Sequence, residues 1–130
     1  MLRCFVEMNA AGFDPLLIVG SDSPALTAST IAPWTGLLAR SRSVVGPAED
    51  GGYYAIGCHV PHPRMFEGVE WSGPRTLAQT VVALERCDMP VAYLPPHYDV
   101  DTPADLSRLA LDPNLGPRSR QWLESDGIKT

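Results

Sequence analysis

The sequence predicts an α/β fold, and three observations carry that expectation. Leu16–Val19 is a continuous apolar run that stops in the polar loop Gly20-Ser21-Asp22-Ser23-Pro24. A strand buried on both faces of a parallel sheet, followed by its C-terminal loop, reads in this way. Short strand-like segments then alternate along the chain with stretches of helical apolar spacing. Finally, Thr102-Pro103-Ala104-Asp105 combines an N-cap hydroxyl, a proline at the first helical position and an acid three residues after the cap, which together open a helix.

Taken in order, Leu2, Phe5, Val6 and Ala10 follow helical spacing, and Gly12 supplies the left-handed residue that commonly ends a helix. Pro15 to Val19 is the first strand. Ile31, Trp34, Leu37 and Leu38 predict a helix that starts near Ser29 or Thr30, tolerates Pro33 in its first turn and ends before Ser43. Val44-Val45-Gly46 is a short strand, Pro47 to Gly52 a polar turn, and Tyr53-Tyr54-Ala55-Ile56-Gly57 a second strand rich in aromatic and branched residues. After a loop holding Trp71 and Ser72, Leu77, Val81 and Leu84 mark a helix, and Val91 to Leu94 a last strand. The helix opened by Thr102 has Leu106 and Leu109 on its apolar face. Residues beyond Asp112 read as a terminal cap anchored by Trp122 and Leu123, with no internal repeat or domain boundary.

Composition narrows the function classes. A chain of 130 residues fits one domain, and its apolar (45%) and charged (19%) fractions are those of an ordinary soluble protein. The formal net charge is -5 and the 10 Lys and Arg are scattered, which argues against nucleic acid as a partner because phosphate-backbone affinity comes from clustered basic residues. Cys4, Cys58 and Cys87 are odd in number and far apart, so neither a disulfide framework nor a zinc site is expected, and a reducing cytoplasm fits best. The apolar runs are too short to span a bilayer and no signal-peptide pattern opens the chain, so no membrane association is expected.

Three polar clusters interrupt the apolar scaffold: Gly20-Ser21-Asp22-Ser23-Pro24, Glu49-Asp50-Gly51-Gly52-Tyr53 and Tyr98-Asp99-Val100-Asp101-Thr102. In open α/β sheets ligands bind outside the carboxyl ends of strands, where the first cluster is expected. A hard divalent cation takes oxygen ligands, typically one or two carboxylates plus substrate phosphates, and Asp22 with Asp99 or Asp101 could supply them. Asp99 and Asp101 share one side of an extended segment. Each of these acids equally fits a turn or helix-cap position, and Gly51-Gly52 fits a positive-φ turn as well as a close approach of ligand to backbone. Spacing alone leaves both readings open. No nucleophile elbow, P-loop or dinucleotide fingerprint is present. His59, His62 and His97 show no metal-ligand spacing and read as surface or loop residues.

In combination the motifs are more specific. Leu17 to Leu26, Val45 to Gly57, Phe66 to Ser72 and Asp99 to Leu106 occur in the same order in the bacterial glycosyltransferase-like family often labelled radical-SAM/selenodomain-associated transferase. That family is related to the nucleotidyltransferases of molybdenum-cofactor and deazaflavin-cofactor synthesis, and the chain resembles it over roughly residues 1–111. The resemblance implies a three-layer α/β/α sandwich, a partial glycosyltransferase-A-like fold, with 112–130 as a C-terminal cap. It implies that Asp22 and Asp101 are the catalytic acids, that Asp22, Asp99 and Asp101 bind Mg²⁺ or Mn²⁺, and that Ser21, Ser23, Asp50, Gly51, Gly52, Tyr53 and Ser72 bind substrate. Within that set Gly51, Gly52 and Ser72 line the acceptor side and Asp50 orders its loop.

Family members begin with a strand and a basic glycine loop that hold the nucleotide, whereas these residues start inside the following helix. The resemblance therefore implies a metal-dependent glycosyl- or nucleotidyltransferase whose donor-binding part lies outside this chain. The implied partners are a nucleotide or nucleotide-sugar donor and an acceptor of unspecified class. The rival expectation is a non-catalytic remnant that binds an acidic metabolite or a protein. A strand at Leu16 to Val19 that lacks one neighbour is also expected to pair with a second copy, giving a homodimer through an exposed sheet edge.

Overall fold

Four short apolar segments, β1 (Leu16–Val19), β2 (Ser43–Pro47), β3 (Tyr53–Cys58) and β4 (Val91–Tyr93), pair into one mixed sheet in the order β1-β3-β2-β4. The structure is a computed structural model and describes residues 1–125. Among the described residues there are six helices: α1 (Leu2–Ala10), α2 (Ala28–Ile31), α3 (Trp34–Ala39), α4 (Thr76–Arg86), α5 (Pro103–Ala110) and α6 (Pro117–Ser125). One face of the sheet packs Val45, Ile56 and Cys58 against Phe5 of α1 and Leu84 of α4. The other packs Val44, Tyr54 and Ala55 against Trp34 and Leu38 of α3. The result is the expected α/β fold with helices on both faces.

The sheet is not the parallel one read from Leu16–Val19. β3 runs antiparallel to both β1 and β2, and only β2 and β4 are parallel. β1 is nonetheless apolar throughout because both its faces are covered: Leu16 and Ile18 pack toward the Phe5 side, Leu17 and Val19 toward the Trp34 side. It stands at one edge of this sheet. Among the described residues β1 pairs with β3 alone, and all four of its side chains are half-buried.

Proline and glycine set the helix boundaries. The helix expected over residues 29–42 is two helices, because Pro33 has no N–H to bond the carbonyl four residues earlier. The first is capped by Thr27, whose hydroxyl accepts from the Thr30 N–H at 3.3 Å, and the second restarts at Trp34. α1 closes through Gly12 at φ 94°, with Gly12 N–H on the Asn9 carbonyl and Phe13 N–H on the Met8 carbonyl.

A bulge between β2 and β3 puts the two tyrosines in different core clusters. Gly46 pairs with Ala55, but Pro47 pairs with Tyr53, so Tyr54 is the extra residue. Tyr54 and Ala55 consequently pack in succession against the Trp34 cluster, while Tyr53 packs against the opposite one.

A third cluster joins Ala25, Tyr98, Leu109, Leu115 and Leu123. Leu123 is thus the anchor of the terminal segment, and Trp122, at 51% exposure, is not. Residues 126–130 of that expected cap lie outside the described residues. Among the described residues no helix is long and apolar enough to cross a membrane.

Candidate functional site

Two of the three polar clusters meet at the end of β1. Gly20 N–H donates to the Tyr54 carbonyl at 2.8 Å, extending the sheet by one bond before the chain turns away. The Asp22 carbonyl then accepts the Val100 N–H at 2.9 Å. Beside it the buried Ser23 hydroxyl donates to Asp99 Oδ1 at 2.6 Å, across 76 positions of sequence. Ser23 is therefore committed to holding Asp99. Ser21 donates to Asp22 Oδ1 at 3.1 Å.

Asp101 stands at the entry to α5, where Thr102 and Asp105 form a reciprocal capping box. Asp105 Oδ2 accepts from the Asp101 N–H, the Thr102 N–H and the Thr102 hydroxyl. These bonds, the Thr102 hydroxyl first, hold the Asp105 carboxyl below its usual pKa. Asp105 thus satisfies the helix start, and the Asp101 carboxylate accepts no bond from the described residues.

The donor set that the adjoining loops offer is all oxygen, which suits Mg²⁺ or Mn²⁺. Among the described residues no three His, Cys, Asp or Glu side chains converge into a preformed cage. A cation held here would draw on one or two of these carboxylates and on phosphate oxygens of a ligand.

The Glu49 to Tyr53 cluster forms a second part of the site. A cavity of about 580 Å³ is lined by Gly20, Asp50, Gly52, Tyr53, Trp71 and Ser72, among others. Asp50 Oδ1 accepts the Gly52 N–H at 2.9 Å and so closes its own turn. Gly51 sits behind the lining at φ 91°, where a Cβ would lie 2.3 Å from the Pro74 carbonyl oxygen. The same glycine's carbonyl accepts the Leu77 N–H at 3.0 Å, so this loop is bound tightly to the start of α4. Burial raises the Tyr53 phenol above its ordinary pKa, against a weaker opposing bond from Thr80. Of the expected substrate residues, Asp50, Gly52, Tyr53 and Ser72 share the cavity wall. Ser21, Ser23 and the three metal-site acids belong to the adjoining loops, reached through Gly20.

A brace that no sequence pattern announces joins Glu49 to α5. Arg108 on α5 makes two bonds to Glu49, at 2.6 and 2.8 Å, and its guanidinium lies 3.9 Å from the centre of the Tyr98 ring. The bond from Arg108 holds the Glu49 carboxyl below its usual pKa. Burial pushes the Tyr98 phenol up to about 12, and its hydroxyl donates to Asp112 at 2.8 Å. His97, expected as a surface or loop residue, lies in the loop between β4 and α5 but is half-buried. Its ring contacts Tyr54 and Tyr98, its Nε2 is buried with no partner, and burial lowers its pKa from 6.5. Glu49 and Arg108 are 59 positions apart, and no local pattern could have paired them.

Comparisons with known proteins give a family and a fold. The profile of a family described as "Uncharacterized protein conserved in bacteria (DUF2064)" matches residues 1–73. The chain belongs to DUF2064. The matched segment contains β1 to β3, the Asp22 loop and the whole Glu49 to Tyr53 cluster. A crystal structure of a "putative nucleotide-diphospho-sugar transferase" from Desulfovibrio desulfuricans G20 superposes with a TM-score of 0.78 at 26% identity over 96% of this chain. This DUF2064 chain spans 58% of that structure's length and has the nucleotide-diphospho-sugar transferase fold. No curated protein matches it.

Proposed function

We propose that this DUF2064 chain carries the metal and phosphate site of a transferase whose donor is a nucleotide sugar or a nucleoside triphosphate. The observation that supports the reading most is the meeting of the Gly20 to Pro24 and Asp99 to Thr102 loops at the end of a sheet strand, fastened by the Ser23–Asp99 and Val100–Asp22 bonds. Asp22 and Asp101 would hold Mg²⁺ or Mn²⁺, with Asp99 in support. When bound, that cation supplies charge neutralisation at the leaving phosphate. The remaining tasks fall to the chain itself. Ser23 fixes Asp99, and the Asp105 capping box fixes the backbone at Asp101. The Arg108–Glu49 brace sets the distance between the acid loops and the acceptor cavity, and Gly51 and Gly52 let ligand approach the backbone there. The four ordered motifs support the finer assignment to the branch labelled radical-SAM/selenodomain-associated transferase.

In this reading residues 1–111 form the transferase-type unit and 112–130 cap it, supported by Leu115 and Leu123 in a common core with Ala25 and Tyr98. Nucleic acid is not a partner, and the free cysteines support a cytoplasmic protein. The unpaired side of β1 supports a homodimer through that edge. Sedimentation velocity across a range of concentrations is expected to give a reversible dimer, and a monomer throughout would remove the edge contact from the proposal.

Binding of a fluorescent nucleoside diphosphate tests the functional reading. Mn²⁺ is expected to strengthen binding, and Asp22→Ala to weaken the Mn²⁺-dependent part by roughly tenfold or more, the scale of one lost charge-assisted ligand. Nucleotide binding that is indifferent to Mn²⁺ and to Asp22 would overturn it.

A further inference from the structure

The cavity wall has one component that the metal and phosphate reading leaves unused. Trp71 lines it and is 50% exposed, yet the ring does not stand alone. Its centroid is 5.5 Å from that of Phe66, which in turn stacks on the buried Phe5 at 6.4 Å. The loop that carries it is pinned on both sides. Glu70 N–H donates to the Gln79 side chain, and the Thr76 hydroxyl bonds the Glu70 and Gly73 carbonyls. The next residue, Ser72, is held at φ 61°, a conformation that serine seldom adopts and that recurs at ligand clamps. A large aromatic surface is thus fixed in place beside open cavity.

The polar side chains around it include the Asp50 carboxylate and the Tyr53, Ser72 and Thr76 hydroxyls. Asp50 uses Oδ1 on the Gly52 N–H, leaving Oδ2 without a bond among the described residues, and the Ser72 hydroxyl has no partner among them. Among the described residues the lining includes Met1 but no Lys, Arg or His side chain. The Asp50 carboxylate disfavours a phosphorylated or carboxylic ligand close to it and accepts hydrogen bonds from hydroxyls. An exposed tryptophan face favours a ring with an apolar side. A pyranose has both features, an axial C–H face and a rim of hydroxyls.

We propose that this cavity takes a neutral, hydroxyl-bearing sugar ring as acceptor, its C–H face on Trp71 and its hydroxyls on Asp50 and Ser72. The assignment rests on the transferase reading only for the word acceptor, since the binding itself needs neither metal nor nucleotide. It separates this site from one built for an acidic or phosphorylated acceptor.

Saturation-transfer NMR on the whole chain tests it with methyl glucopyranoside, methyl mannopyranoside and N-acetylglucosamine, against glucose 6-phosphate and free guanosine. Transfer is expected to the axial C–H protons of at least one neutral sugar, weakened roughly fivefold to tenfold in Trp71→Ala and largely kept in Trp71→Phe, which retains an aromatic face. A nucleotide sugar that shows transfer to its sugar protons only with Mn²⁺ present would place the ring as donor and overturn the acceptor assignment. So would equal or stronger binding of glucose 6-phosphate or guanosine, unchanged transfer in Trp71→Ala, or no transfer to any neutral sugar. Circular dichroism of both variants confirms the fold. Sugar binding without Mn²⁺-dependent nucleotide binding would leave the cavity assigned and sink the transferase reading, and the converse would sink this assignment alone.

Discussion

Gly46→Ala is expected to lower folding stability by about 3 kcal/mol, the upper end of what overpacking a well-filled core costs. An added Cβ would lie 2.4 to 2.8 Å from three atoms of the Tyr54 ring. That ring cannot retreat. It is 3% exposed, packs against Trp34 and His97, and its hydroxyl donates to the Pro95 carbonyl at 2.6 Å. Tyr53 and Tyr54, which the bulge turns into different core clusters, both line the cavity, so the change should disturb the site as well as the core. Urea unfolding checks the size of the effect. The double variant Gly46→Ala with Tyr54→Leu should recover part of the loss, because the two substitutions share one contact and are not additive. A stability equal to wild type for Gly46→Ala would mean that the bulge is placed wrongly.

Gly51→Ala should cost a similar amount, about 3 kcal/mol, by combining a positive-φ penalty of roughly 1 to 2 kcal/mol with a clash. Here the obstacle is backbone: the Pro74 carbonyl oxygen at 2.3 Å and its carbon at 2.9 Å. Relief requires the Asp50 turn to move away from the start of α4, breaking the Leu77 N–H bond to the Gly51 carbonyl and opening the cavity. Gly12→Ala separates the two contributions. Gly12 has φ 94° but nothing within 4 Å of its Cβ position, so only the backbone penalty applies there, roughly 1 kcal/mol. Comparable losses at the two glycines, measured by thermal or urea unfolding, would show that the close approach to Pro74 is unimportant.

Local rules made much of this fold legible. The Thr102-Pro103-Ala104-Asp105 helix start is a matter of four adjacent residues, and the structure contains the full capping box. The Gly12 terminus of α1 and the strand at Leu16–Val19 were readable for the same reason. Direction and neighbour order were not, since an apolar run records that both faces of a strand are covered and says nothing about which strands flank it. Pro33 was misjudged because proline suits the first turn of a helix only if the helix begins where expected, and the Thr27 cap moved that start. The bulge at Tyr54 was hidden in an aromatic pair that fits plain alternation.

The site divides along the same line. The acid loops and the glycine turn stood out as polar interruptions of apolar segments, and Asp50, Gly52, Tyr53 and Ser72 do line one cavity. What joined the parts was invisible. The Ser23–Asp99 bond and the Arg108–Glu49 brace link residues 76 and 59 positions apart, and only the chain's path brings them together. In the sequence Trp71 reads only as a loop residue. Its use as a surface depends on Phe66 and Phe5 behind it, which belong to other elements.

As proposed above, the Asp22 and Asp99 to Asp101 loops would form one cation and phosphate site. Paramagnetic broadening by Mn²⁺ tests it most directly, using assigned backbone amide resonances with a nucleoside diphosphate present. At substoichiometric Mn²⁺ the amides of residues 20–23 and 99–102 should broaden first and together, and Asp22→Ala should abolish the effect at both loops. Amides of Glu67 and Arg86, which belong to neither loop, should stay sharp at the same Mn²⁺ level. Broadening confined to one of the two loops, or strongest elsewhere in the chain, would contradict the account.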